Sequence, residues 1–244
     1  LFLQVPVIVV MLASFSETSY LTIPPQGWTL KWFAAVLTDR TYIDAIRNSL
    51  ILAVGSTAIS LVLGVAASYA IFRRMVPASE ALTSLLMAPL IIPSVVIGVA
   101  LLQYFTLVGM RGSFIVLLVA HVVITVPYIV RSALASLSGI DLSVEEAARV
   151  LGADGFTTFR LVTLPLIKPG LIAGALFSFV TSMENVPVTI FLAGPRDTTL
   201  PILIFTSVEM GVNPSVAAVS TLLIIATAVV LLIAERWTGF HRFV

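Results

Sequence analysis

Cysteine is absent from the 244 residues and charge is scarce. Without a thiol the chain has neither a disulfide framework nor a thiolate metal site. The two histidines, His121 and His241, are too far apart in sequence to form a ligand pair such as H-x-x-x-H, so no metal ligand is assigned. Charged residues make up 10% of the chain, 13 Lys and Arg against 12 Asp and Glu, where a soluble domain carries about 25%. No basic run provides a footprint for nucleic acid. The phosphate cradle G-x-x-x-x-G-K-S/T is also missing, so the chain holds no ATP of its own. What is abundant is hydrocarbon: 59% of the residues are hydrophobic, against about 45–50% in soluble domains. Too little charge remains to coat a water-facing surface, and the expected solvent is lipid.

A membrane-crossing helix needs about 20 mostly apolar residues to traverse about 30 Å of hydrocarbon. Six stretches qualify or come near: 1–15, 50–72, 82–107, 114–130, 170–192 and 216–234. The expected fold is therefore all-α, a polytopic bundle of six transmembrane helices in one domain over 1–244. The first stretch is short. Its competing reading, a signal peptide, lacks the basic flank such a peptide carries. Orientation follows from Lys and Arg, which are in excess on the cytoplasmic side. With the N-terminus inside, the inner segments hold 8 basic residues (Arg73, Arg74, Arg131, Arg149, Arg160, Lys168, Arg236, Arg242) and the outer segments 5 (Lys31, Arg40, Arg47, Arg111, Arg196). Both termini are expected in the cytoplasm.

Between the first two stretches, a Pro-Pro-Gln-Gly turn at 24–27 precedes an apolar-polar pattern at Leu30, Trp32, Phe33, Val36 and Leu37. The pattern suits a short helix, either anchored at the outer interface or packed as a lid over the helix ends. The inner loop 131–168 is more polar and reads as two short helices. Ser143 and Glu146 have the spacing of a capping box. Gly152 is placed to end that helix, Asp154 to cap the next, and Pro165 and Pro169 to close it. Val144, Ala147, Ala148 and Leu151 form an apolar stripe, with Phe156 and Phe159 nearby; such a surface suits a partner or packs back onto the protein's own helix ends.

Glu146-Ala147-Ala148, three residues, Gly152, nine residues, Val162, one residue and Leu164-Pro165 resemble the signature E-A-A-x3-G-x9-I-x-L-P of permease subunits of binding-protein-dependent ABC importers. Val162 in place of Ile is the one departure. The resemblance implies a cytoplasmic coupling helix docked into an ATP-hydrolysing subunit, with Glu146 paired to a basic group there, Ala147 and Ala148 allowing close approach and Gly152 making the bend. It further implies two ATPase subunits carrying ATP and Mg, a second permease subunit forming a heterodimer with this one, a periplasmic or lipoprotein solute-binding protein, and a bacterial inner membrane around them. Under this reading the chain is not an enzyme.

Ionisable groups within a bilayer are costly and tend to face a cavity or a partner. Glu184 is the one acid well inside a stretch. On a helical wheel Ser178, Thr181, Ser182, Asn185 and Thr189 occupy an arc about 100° wide, with Glu184 about 60° beyond its edge. The arc should face the bundle interior. Glu184, Asn185, Thr181 and Ser178 are candidate lining of a solute path, where an acid favours a cation; the competing role is interhelical hydrogen bonding, which is also the expected role of His121. The run from Ser182 to Pro195, with Thr198–Pro201 and 216–221, is similar to the spermidine/putrescine branch of these permeases, while branches for ferric iron, thiamine or anions share parts of it. A reading from another class, an ion-driven secondary transporter or channel, calls for paired midplane repeats, and no inverted repeat is visible.

Overall fold

The computed structural model describes residues 4–20, 24–211 and 214–238. Leu1 to Leu3 of the first stretch, His241 and Arg242 lie outside them. Among the described residues the regular structure is helical throughout. In chain order the helices are α1 (Val5–Ala13), α2 (Lys31–Thr38), α3 (Arg40–Phe72), α4 (Ser79–Ile91), α5 (Ser94–Leu107), α6 (Phe114–Ser138), α7 (Leu142–Val150) and α8 (Gly155–Thr158). A π-turn (Phe159–Thr163) joins α8 to α9 (Leu164–Glu184), and α10 (Thr189–Leu192), α11 (Leu200–Met210) and α12 (Pro214–Thr238) follow.

Three helices in this set are long and apolar enough to cross a membrane: α3, α6 and the continuous run Gly155–Glu184. A fourth crossing forms if α4 and α5 are one broken span, and α11 and the described part of α12 are shorter apolar helices. The six runs of the sequence thus correspond to helices of unequal kind.

Caps, rather than hydropathy, set where these helices begin. α3 starts at Arg40, ten residues before the apolar run, because the Asp39 carboxylate accepts the Thr41 amide at 2.8 Å. The stretch 82–107 is not one helix: the chain bends by 108° between α4 and α5. Ile92 is extended, at ψ 132°, the conformation a residue before proline prefers, and Pro93 brings no amide to continue the ladder. α6 runs to Ser138, eight residues beyond the apolar run, with Pro127 inside it. The helix expected over 170–192 ends at Glu184, three residues ahead of Pro187, and α10 is a separate turn.

α3, α6 and α9 pack on one another as the centre of the bundle. Membrane helices are drawn together by close packing and hydrogen bonds, so their contact faces favour small residues. The buried stripe of α3 has that composition: Ala45, Ser49, Ala53, Ser56, Thr57, Ser60, Gly64 and Ser68, with Leu52 the one large side chain. At Gly64 a Cβ would come within 2.7 Å of the Ile129 side chain on α6. Around this centre Leu52, Phe105, Val116, Leu117, Ile124, Val188 and Leu192 close an apolar core.

α2 forms where the apolar-polar pattern predicted a short helix. Val36 is fully buried in a cluster with Ala45 of α3 and Ala218 and Val219 of α12. The Trp32 indole donates to the Ser16 carbonyl at 2.8 Å, and Lys31 Nζ to the Glu17 carbonyl at 2.7 Å. These contacts make α2 a packed lid over helix ends.

Candidate functional site

The segment between α6 and α9 carries the E-A-A pattern. α7 begins at Leu142, and its cap is Asp141, whose carboxylate accepts the Ser143 amide at 3.0 Å. The capping box expected between Ser143 and Glu146 does not form, because Ser143 is already the second helical residue. The amide and hydroxyl of Ser143, both donating to Asp141, hold that carboxyl below its ordinary value.

At the other end of α7 the amide of Gly152 donates to the Arg149 carbonyl at 2.9 Å and that of Ala153 to the Ala148 carbonyl at 3.0 Å. This pair of bonds is a Schellman motif, which needs a left-handed residue at its centre; Gly152 supplies it, at φ +94°. Asp154 then caps the next helix as expected, accepting the Thr157 amide at 2.7 Å. The hydroxyl and amide of Thr157 hold its carboxyl low.

Pro165 and Pro169 do not close that helix, contrary to expectation. α8, the π-turn and α9 form one rod from Gly155 to Glu184. In the π-turn the Leu164 amide donates to the Phe159 carbonyl, one residue further back than in an α-helix. This change of register sits directly before the missing amide of Pro165 and accommodates it within the rod. Pro165 falls in the first turn of α9, where its lack of a donor is least costly. With α6 also extended, the loop 131–168 shortens to α7 and its two connections.

The two adjacent acids of α7 point in different directions, about 100° apart on the helix. Glu146 is exposed, as is Ala147, and Ala148 is half-buried. Glu145 is 1% exposed. Its carboxylate is ion-paired to Arg73, the residue that ends α3, and accepts the Thr163 hydroxyl of the π-turn at 2.7 Å. Arg73 in turn lies 5.6 Å from the Tyr69 ring centre, and Tyr69 meets Phe159 edge-on at 4.9 Å. Sequence reasoning missed this cluster, although the doubled acid at 145–146 was a signal: on one short helix both cannot face the same way.

The apolar stripe stays outward. Val144, Leu151 and Phe156 are exposed, while Phe159 turns in toward Tyr69. Beside it a cavity of about 1050 Å³ opens between α3 and the rod, lined by Leu61, Val65, Tyr69, Arg73, Phe156 and Phe159 among others. Of the remaining motif positions, Leu164 is half-buried at this cavity and Pro165 is exposed.

The polar arc of α9 faces the bundle interior. Ser178 donates to Thr57 Oγ1 on α3 at 3.3 Å, and Ser182 accepts from Ser56 at 3.1 Å. His121, 1% exposed on α6, bridges Ser182 through Nδ1 at 2.8 Å and Thr189 through Nε2 at 3.0 Å. Asn185 accepts the Val188 amide at 2.9 Å with its side chain and the Thr189 hydroxyl with its carbonyl. His121 therefore has the interhelical role expected of it. Thr181 is half-buried. Unlike the buried Ser178 and Asn185, Glu184 is exposed and borders a second cavity, of about 580 Å³, with Leu50, Phe179, Met183, Leu223 and Thr227. Among the described residues no group of three or more His, Asp or Glu could hold a metal ion.

Residues 60–241 match the family described as binding-protein-dependent transport system inner membrane component. The chain is 31% identical over 234 residues to the spermidine/putrescine transport system permease protein PotC of Escherichia coli (strain K12), covering 96% of this chain and 88% of that protein. It is 33% identical over 241 residues to the putrescine transport system permease protein PotI of the same organism, covering 96% and 85%. Among solved structures, a chain of a bacterial ABC transporter involved in import of the acidic polysaccharide alginate superimposes with a TM-score of 0.79 at 16% identity, covering 97% of this chain and 91% of that one.

Proposed function

The chain belongs to the family of binding-protein-dependent transport system inner membrane components, and from that premise we propose that it is the membrane-spanning permease of an ATP-driven importer of polyamines such as spermidine and putrescine. The observation that carries the importer reading is α7. It is a short helix, capped at both ends, that stands beyond the central spans and presents Glu146, Ala147 and Leu151 outward. Small exposed residues beside an acid suit a close, charged docking surface on an ATPase. The polyamine reading rests on the similarity to the two polyamine permeases along nearly the whole chain and on Glu184, an exposed acid beside a cavity in the apolar part of the bundle.

In this reading two ATPase subunits hold ATP and Mg, and a periplasmic or lipoprotein binding protein delivers the solute. A second, different permease subunit completes a path that one chain has too few faces to enclose. The six apolar stretches cross a bacterial inner membrane with both termini in the cytoplasm, and α7 is the cytoplasmic coupling helix. Closure of the ATPases moves α7, and the spans alternate between outward-open and inward-open arrangements. Ser178, on the polar arc of α9, then bonds to Thr57 of α3 and Asn185 braces the break after α9, while Thr181 and Glu184 are nearer the solute.

Co-expression with the genes flanking its own should confer saturable, ATP-dependent uptake of labelled spermidine or putrescine. Glu184→Gln should raise the KM for the polyamine by about tenfold, the loss expected when one charge-assisted hydrogen bond to a cationic solute is removed. Uptake of ferric iron or thiamine in place of polyamine would overturn the substrate reading, and unchanged kinetics in Glu184→Gln would remove that residue from the path.

A further inference from the structure

A short helix on a protein surface is ordinarily held by an apolar face. α7 is held differently. Its large apolar side chains Leu142, Val144 and Val150, and Leu151 at its C-cap, are all exposed, and its one buried residue is an acid, Glu145. The contact that fixes the helix is thus ionic: Glu145 to Arg73 at the end of α3, and Glu145 to the Thr163 hydroxyl at the head of α9. Arg73 is kept in place by the rings of Tyr69 and Phe72, and Tyr69 by Phe159 of the π-turn. A single carboxylate therefore touches both long rods of the central packing, α3 and Gly155–Glu184. It lies one residue from Glu146, which faces away.

We propose that Glu145 is the positioning residue that fastens the coupling helix to α3 and α9, through Arg73 and Thr163, so that movement of α7 is delivered to both spans at once. The inference rests on the docking of α7 to an ATPase and divides the acidic pair by role: Glu146 meets the partner, and Glu145 meets the protein's own spans. Charge suits this task because a buried ion pair has directional, short-range contacts, whereas an apolar face can slide. The shape of the site favours a rigid link over a hinge, since the carboxylate is enclosed and both of its partners sit on helices that continue into the bundle.

The test is made on the assembled importer in proteoliposomes with its binding protein, reading solute uptake per ATP hydrolysed together with copurification of the ATPase. Glu145→Gln should retain the ATPase in the complex and lower uptake per ATP by about tenfold, the effect of losing a charged hydrogen bond at the link. The exchange Arg73→Glu with Glu145→Arg should recover at least part of that loss. A residue needed merely for folding would lower the amount of assembled complex and leave the ratio unchanged. Should Glu145→Gln fail to assemble, Thr163→Val removes one hydrogen bond with little change of shape and should lower the ratio by about fivefold. A wild-type ratio in assembled Glu145→Gln, or in Thr163→Val where the former does not assemble, overturns the proposal, as does an exchange variant no better than Glu145→Gln. Glu146→Lys tests the docking itself: it should lose the ATPase, and its retention would sink the docking reading whatever Glu145→Gln does.

Discussion

Gly174 on α9 stands so close to Ser132 on α6 that a Cβ at Gly174 would lie 2.9 Å from the Ser132 Cβ and 3.2 Å from the Tyr128 carbonyl oxygen. Backbone blocks one side of the gap, so relief by rotating a side chain is not open to it. Gly174→Leu should therefore push α6 and α9 apart, at about 1–3 kcal/mol for an overpacked site. The measurement is thermal unfolding of the detergent-solubilised protein. A melting temperature equal to wild type would mean that the two helices do not meet at Gly174.

His121 joins α6 to both sides of the break after Glu184, through Ser182 before it and Thr189 after it. His121→Leu should leave two buried hydroxyls short of a partner and destabilise the bundle by about 1–2 kcal/mol. Ser182→Ala added to His121→Leu should cost less than the sum of the single losses, since both remove the same bond. Strict additivity in that double-mutant cycle would show that the bond contributes nothing.

What was legible in the sequence was whatever depends on near neighbours. Gly152 and Asp154 punctuate the chain where their backbone chemistry demands, at the C-terminal end of α7 and the start of α8. Local preference does not decide between Asp141 and Ser143 as the cap of α7, because both residue types cap helices and lie two positions apart; Asp141 takes the role. Hydropathy does not set helix length where hydrogen bonding does. The polar start of α3 between Arg40 and Ser49 is helical because of Asp39, and the long apolar run at 82–107 is broken because of Pro93. Which of Glu145 and Glu146 turns inward was beyond any local rule. That choice belongs to Arg73, distant in sequence and brought near by the packing of α3 against the rod.

Asp141 and Asp154 cap their helices as carboxylates, and both pKa values are depressed below the ordinary 3.8. A depressed carboxyl contributes stability that is full above its unfolded value and lost as pH falls through the folded one. Both caps should thus be intact at neutral pH and fail in acid, below the ordinary carboxylate range. Hydrogen exchange at the Ser143 and Thr157 amides should be faster in Asp141→Ala and Asp154→Ala than in wild type at pH 7, after correction for intrinsic rates. The difference should shrink as the pH falls below 3.8 and vanish once it has passed below the depressed values of the folded caps. A difference that persists in acid would assign the protection to something other than the ionised caps.

Gly152 separates backbone from space. Its φ of +94° disfavours any L side chain, yet a Cβ there would meet nothing within 4 Å in this chain. A substitution therefore acts through conformation alone unless a partner occupies the open side. Asn tolerates positive φ better than Ala, and a β-branched residue tolerates it least. Conformation alone predicts the order Gly, Asn, Ala, Val for uptake, with Val reduced by about tenfold for a penalty of about 1–2 kcal/mol. Trypsin cleavage at the exposed Arg149 should become faster in the same order as the Schellman turn loosens. Uptake in Gly152→Asn as poor as in Gly152→Val, with cleavage at Arg149 as slow as in wild type, would reject the conformational account. The loss would then come from the open side of Gly152, where a docked ATPase leaves no room for a side chain.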